Sequence, residues 1–401
     1  MHHIMDKTLS ALREKHTTIT SNLALGIGQI ILWGGSYFLL SVLSGSIMKD
    51  TGWSYQSIYG ALSLSLLVSG LIMPKIGYYI QRMDKNIPLL FTGVVMACGL
   101  FVIAGSRSFS IFLIGWFIIG IAMGMGLYDA LFASLGKKHG NNASISIVQV
   151  TLISSLAPSI SWAFLTFLNT AYGWRLTCIF YAIILIVTIL PLHYWLFTEK
   201  NTTKQTYPDQ SLMIDTTDVA NVSKPLYNWI LINFTLGAVI TTGLVIHLID
   251  ILNDKNLTKT SIITIAAILG PSQAAVRVIE LLLPKRSVIL SAIISSSALF
   301  IGTLFLMLDS RIAGLGVLLF GMGNGMRSIL RGTLPLSIFG SKNYSLIIGK
   351  LARLPLIAQA VTPVIGGIFI QQFGINGFLL FLLLLSILYI LSVLMVKSYL
   401  R

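Results

Sequence analysis

Seven ionisable side chains stand inside stretches that are otherwise apolar: Arg277, Arg327, Arg331, Lys350 and Arg353 on one side, Asp129 and Glu280 on the other. In hydrocarbon a charge costs several kcal/mol, about 2.5–3.5 on insertion scales, so each of these must face water, a partner or a ligand. Cations outnumber acids, and the surplus calls for an anion. Guanidinium suits that task, because its planar fork offers a carboxylate two parallel hydrogen bonds. A second set of residues is polar or aromatic without charge. Gln29, Trp33 and Tyr37 recur every four residues and so share one helix face. They read either as one wall of a binding cavity or as polar glue between helices. Gln149, Trp162, Gln273, Asn324 and Gln359 are further candidates to line it. Asp129 and His247 are the candidates to move a proton, imidazole being the side chain that titrates near neutral pH. His247 also reads as an ordinary hydrogen-bonding residue near the outer interface.

The elements that must hold these residues follow from composition. Of 401 residues, 55% are hydrophobic and 10% charged, and the mean hydropathy is +0.86, which excludes a set of soluble domains. Crossing a hydrocarbon core takes about 20 apolar residues in a helix. Twelve such runs are present, over 22–47, 56–80, 87–106, 109–136, 143–168, 174–197, 225–250, 260–282, 288–308, 312–338, 344–370 and 374–396. All are expected to be helices, since a backbone in lipid must satisfy its own hydrogen bonds and nothing here alternates as a barrel strand does. The fold class is therefore an all-α membrane protein. The polar stretch 1–21 is too long before the first apolar run to resemble a cleaved signal peptide.

Sixteen of the 27 basic residues fall in the termini and the loops on their side. Six fall on the other side: Lys49, Arg107, Arg175, Lys255, Lys259 and Arg311. The positive-inside rule then places both termini in the cytoplasm, and the expected location is a bacterial inner membrane. The net charge of +14 is thus topological, and no nucleic-acid partner is implied. Cys98 and Cys178 sit in apolar runs as packing residues. No His, Cys or carboxylate cluster has metal-ligand spacing, so neither a metal, a cofactor nor an enzyme is expected. The expected partners are the bilayer and a small anionic substrate, with the protein a monomer. Arg277 and Arg327 lie roughly 25 and 22 Å from the outer ends of spans 8 and 10, in the inner half of the membrane. Lys350 and Arg353 enter from the inner end of span 11, so these cations can meet in one cavity, or the two can belong to the contact of span 11 with the loop between spans 2 and 3. Arg327 alternatively pairs with Asp129 across the chain, and Arg331, nearer the inner surface, reads as a snorkelling residue.

The longest polar stretch, 198–224, divides the chain into a 1–197 bundle and a 225–401 bundle of six helices each. The halves repeat weakly. Gly124-Met125-Gly126 recurs as Gly321-Met322-Gly323, Pro158 as Pro363, and Gly173-Trp174 as Gly377-Phe378, at nearly constant offset.

Two parallel six-helix halves joined by a linker resemble the major facilitator superfamily. The loop between spans 2 and 3 adds to the resemblance. It runs Gly77-Tyr78-Tyr79-Ile80-Gln81-Arg82-Met83-Asp84-Lys85, and Gly77, Arg82 and Lys85 match the superfamily's signature there, with Gln81 in place of the acid. Glu280, Lys285 and Arg286 look like the corresponding loop of the second half. The resemblance implies that these residues, with Arg353, form a cytoplasmic gate. Within the superfamily the similarity is closest to the monocarboxylate-transporter-like group, on Asp50-Thr51-Gly52-Trp53-Ser54, Gly126-Leu127-Tyr128-Asp129-Ala130, Gly173-Trp174-Arg175 and Arg331-Gly332-Thr333-Leu334-Pro335. It implies an Arg on span 8 that holds a carboxylate, and Arg277 matches it. Gln273 stands where that group has an acid, and span 1 lacks its lysine. The expected function is secondary transport of a small organic anion, a monocarboxylate or a polycarboxylate such as a carboxylate siderophore, by alternating access. The alternative is a proton-driven exporter of drugs or metabolites. Of the Gly-rich stretch such exporters carry in span 5, only Pro158 is present in Leu156–Trp162.

Overall fold

The computed structural model describes residues 2–83, 86–198, 223–282 and 287–400. Among the described residues the regular structure is helical throughout. Nine continuous runs there are long and apolar enough to cross a membrane. Two of the nine hold more than one pass. Phe109–Phe197 turns back at the short Gly140–Asn142 turn, across which Tyr128 Oη meets Ser154 Oγ at 2.7 Å. It turns again at Gly173, where the Phe164 and Tyr181 rings come together at 6.2 Å. Tyr344–Ser398 turns at Gly374, bringing Phe369 against Phe381 at 4.7 Å. Among the described residues the helices follow the order of the apolar runs read from the sequence. The linker, apart from its two ends, lies outside the described residues.

Gly173 and Gly374 have φ of 77° and 70°, a region closed to most residues by their Cβ. This corrects the sequence pairing of Gly173-Trp174 with Gly377-Phe378: the structural counterpart is Gly374, three residues upstream. The other glycine repeat does the same work in both halves. Gly124 and Gly126 of span 4 pack on Ile72 of span 2 and Thr92 of span 3; Gly321 and Gly323 of span 10 pack on Ser272 of span 8 and Leu299 of span 9. Missing side chains let these backbones approach, the usual means of tight helix contact in lipid.

Four passes are broken near mid-membrane. Span 1 consists of His2–Gly34 and Leu39–Thr51, separated by Gly35-Ser36-Tyr37-Phe38. Gly34 and Gly35 leave room there for Tyr181, whose hydroxyl donates to the Ile31 carbonyl at 2.9 Å. Span 4 breaks at Leu127, where the backbone is extended (ψ −174°), between Phe109–Gly126 and Tyr128–His139. Span 5 breaks at Ser155-Leu156, ahead of Pro158 in the first turn of the next helix, where its missing N–H costs nothing. Span 8 breaks at Ile268, between Lys259–Ala267 and Leu269–Leu282.

The halves meet at the end that carries the termini. Gly77 of span 2 lies on the Ser345 carbonyl and Gly349 of span 11, and Gly136 of span 4 lies on the Tyr344 ring. Ser345 Oγ donates to the Ala133 carbonyl at 2.8 Å. Tyr344, Ile348, Ala352 and Leu356 thereby join the core of the first half. Toward the other end spans 2 and 11 separate, and a Cβ at Gly60 or Gly367 would find nothing within 4 Å.

Candidate functional site

The break in span 4 makes Tyr128–His139 a helix of its own, with Asp129 in its first turn, where the helix dipole favours an acid. Asp129 is buried and accepts from Arg331 Nη2 of span 10 at 2.5 Å. This ion pair bridges the halves. It corrects two expectations: Arg331 does not snorkel, and the partner of Asp129 is Arg331 and not Arg327.

Arg277 and Arg327 are left without an acid. Arg277, 3% exposed, donates through Nη1 to the Thr151 carbonyl of span 5 at 3.0 Å and through Nη2 to Ser328 Oγ of span 10 at 2.8 Å; its Nε has no partner. Arg327, 8% exposed, donates through Nε to Asn324 Oδ1 at 3.4 Å. Its stem lies against Gly237 of span 7, and the Tyr37 and Tyr389 hydroxyls and Asp129 are within Coulombic reach. Among the described residues no acid lies within ion-pair distance of either arginine. In a medium of low dielectric, two such charges raise the potential of the space between the halves strongly.

The facing wall is aromatic. Trp33 stands 5.1 Å from Tyr128, 5.6 Å from Tyr37 and 6.0 Å from Phe38, and Phe38 stands 6.1 Å from Trp162. Trp33, Tyr37, Phe38 and Tyr128 are half-buried, and Trp162 is 47% exposed. The Trp33 Nε1 donor is buried without a partner. Gln29 spends its amide on the Gly126 carbonyl, at 2.7 Å, next to the break in span 4, and its Oε1 is unpartnered.

The remaining candidates scatter. Gln149 accepts from Asn22 at 2.8 Å within the first half. Trp162 donates to Ser41 at 2.8 Å, and Gln359 donates to Thr242 at 3.1 Å within the second half. Gln273 presents its backbone to Gly325. His247 lies beside Asp250, 3.5 Å away, and Phe378, far along span 7 from the arginines. Of the gate residues, Gly77 is at the contact between halves, Gln81 is half-buried, and Arg82 is exposed over the Tyr78 ring at 5.0 Å. Glu280 accepts from Ser291 at 3.0 Å, while Lys85 and Arg286 lie outside the described residues. Lys350 and Arg353 are exposed, so they do not join the buried arginines as expected. Sequence reasoning missed Thr151, Ser328 and Tyr128 as site residues. Only Tyr128 carried a signal, its place beside a buried acid. No group of three or more His, Cys, Asp or Glu able to hold a metal occurs among the described residues.

Comparison with known proteins bears on this arrangement. The family model described as Major Facilitator Superfamily matches residues 25–354. No curated protein sequence matches the chain. Among solved structures, the human organic anion transporter MFSD10 (TETRAN) is 14% identical, with a TM-score of 0.69 over 95% of this chain and 98% of that one. FucP, the E. coli fucose:proton symporter, in its outward conformation is 13% identical, with a TM-score of 0.70 over 94% and 98%. The proton:xylose symporter XylE bound to 6-bromo-6-deoxy-D-glucose is 14% identical, with a TM-score of 0.67 over 96% of each chain. At such identities the likeness shows a shared fold, and with the family match it fixes the class: the chain belongs to the Major Facilitator Superfamily of multi-pass membrane transporters.

Proposed function

We propose that this transporter moves a small organic anion, a monocarboxylate or a polycarboxylate such as a carboxylate siderophore, across the bacterial cytoplasmic membrane. It works as a monomer by alternating access between the 1–197 and 225–401 halves, with both termini in the cytoplasm. One observation carries the anion reading. Arg277 and Arg327 are buried, among the described residues no acid lies within ion-pair distance of either, and the buried acid Asp129 is already held by Arg331. A cationic cargo would be repelled there, and a neutral one would leave the charge uncompensated. A carboxylate supplies the countercharge, entering from the end where spans 2 and 11 separate.

The test is uptake into proteoliposomes against a panel of carboxylates. Arg277→Gln is expected to abolish uptake, and Arg277→Lys, which keeps the charge but loses the fork, to lower it about tenfold. Full transport by a well-expressed Arg277→Gln protein, or wild-type transport of cations only, would overturn the assignment. Topology has its own test: cysteines placed in 198–224 should react with impermeant reagent only in inverted vesicles. Labelling from outside intact cells contradicts it.

A further inference from the structure

The arginines belong to the second half, and the first half presents a run of rings beside them. Trp162, Phe38, Tyr37, Trp33 and Tyr128 follow one another at centroid distances of 5.1–6.1 Å. None of the five is fully buried: Trp33, Tyr37, Phe38 and Tyr128 are half-buried and Trp162 is exposed, while the residues on either side of Trp33 and Tyr128 are buried. The run meets the cations twice: Tyr128 is within Coulombic reach of Arg277, and Tyr37 of Arg327. At the Tyr128 end the polar atoms left over are mostly donors. Arg277 Nε and Trp33 Nε1 have no partner, and of the acceptors Gln29 Oε1 has none, while Gln29 Nε2, Asn324 Oδ1 and the Ser328 hydroxyl are engaged within the protein. Each of the two Arg277 terminal nitrogens makes one of its two hydrogen bonds, so Nε and both terminal nitrogens keep a donor proton to give. A carboxylate can accept two such protons at once.

We propose that the anion carries a flat aromatic body. Its carboxylate sits between Arg277 and Trp33 Nε1, and its ring lies along Tyr37 and Phe38 toward Trp162. The inference rests on the anion reading above and adds the body of the ligand to its charge. Ring faces prefer ring edges and offset faces at such spacings, a preference beyond the area buried, so this wall distinguishes an aryl group from a saturated ring of the same size. A sugar would also stack on rings, but it brings no charge for Arg277 and Arg327.

Equilibrium titration of the purified full chain in nanodiscs, with benzoate, cyclohexanecarboxylate and glucose as probes, tests the proposal. Benzoate and cyclohexanecarboxylate share the carboxylate and nearly the same apolar area, so burial alone does not separate them. Benzoate is expected to bind about tenfold more tightly. Phe38→Leu removes a ring face and should bring the two acids to within about threefold of one another. Trp33→Phe keeps a ring but removes the N–H, and should weaken both acids by the same factor. Equal affinity of the two acids for the wild type overturns the aromatic body and leaves the anion reading standing. Binding of glucose with no binding of either acid overturns both.

Discussion

The two halves share a helix order and glycine contacts, yet they are built to different purposes. The first half has breaks in three passes, at Gly35–Phe38, Leu127 and Ser155-Leu156; the second has one, at Ile268. The first half nevertheless holds the larger continuous core, from Leu25 to Leu196, with Phe112, Trp116 and Phe132 fully buried. The core of the second half is divided into three smaller clusters, around Phe320 and Phe378, around Ile230 and Val396, and around Val276 and Met326. Arg277 and Arg327 are the chain neighbours of Val276 and Met326 in the last of those clusters, and both are buried. Broken backbone is tolerated in lipid only where protein or a cavity satisfies it. The firmly packed half accommodates the breaks beside Tyr37, Tyr128 and Ser154, while the half with the single break supplies both arginines without an acid partner.

The strongest way to break this division is at the ion pair that joins the halves. Asp129→Ala leaves Arg331 buried and alone, and Arg331→Ala does the reverse. Removing one partner of such a pair costs about 3–5 kcal/mol. Each single variant is therefore expected to lose most of its folded yield or thermal stability. The double variant should be more stable than either, as a double-mutant cycle on melting temperature would show. Equal, additive losses would mean that the pair is not coupled.

A smaller effect separates the closed end from the open one. A methyl at Gly136 strikes the Tyr344 ring, and one at Gly60 meets nothing. Gly136→Ala should destabilise this arrangement by about 1–3 kcal/mol, the cost of overpacking, and Gly60→Ala should leave melting unchanged within error. Comparable shifts at both positions would contradict the separation of spans 2 and 11.

The smallest expected effect is at His247. Its Nδ1 lies 3.5 Å from the exposed Asp250 and its Nε2 faces Gly366, away from the arginines. If transport is proton-driven, the dependence on an inward proton gradient should vanish in Asp129→Asn and change less than about threefold in His247→Gln. Gradient-independent exchange by the wild type would remove the proton from the mechanism altogether.

Much of the fold was legible before any coordinates. The apolar runs and the glycine pairs of spans 4 and 10 each have a direct physical meaning in lipid. The burial of Arg277 and Arg327 was legible for the same reason, since both stand within apolar runs. Other features had no such signal. Arg327 and Arg331 are one turn apart on one helix, so spacing could not choose which of them takes Asp129. Span 1 carries Gly26, Gly28, Gly34 and Gly35, and nothing local marks the last pair as the break; Tyr181, far away in sequence, decides it. Gly374 and Gly377 both sit near the start of span 12, and only backbone conformation tells them apart. Lys350 and Arg353 lie on the span the sequence indicated, but their side chains are exposed, which spacing alone did not tell.

The reversals at Gly173 and Gly374 have a mechanical consequence. Each folds two membrane-length helices back on one another through a single residue of left-handed φ, with no slack of loop between them. Spans 5 and 6, and likewise 11 and 12, are therefore tied at one end like the arms of tweezers. A tilt imposed on span 11 where Tyr344 meets Gly136 is passed to span 12 with little lost on the way. Lengthening either joint by a few flexible residues should uncouple the arms without disturbing a single contact at the arginines.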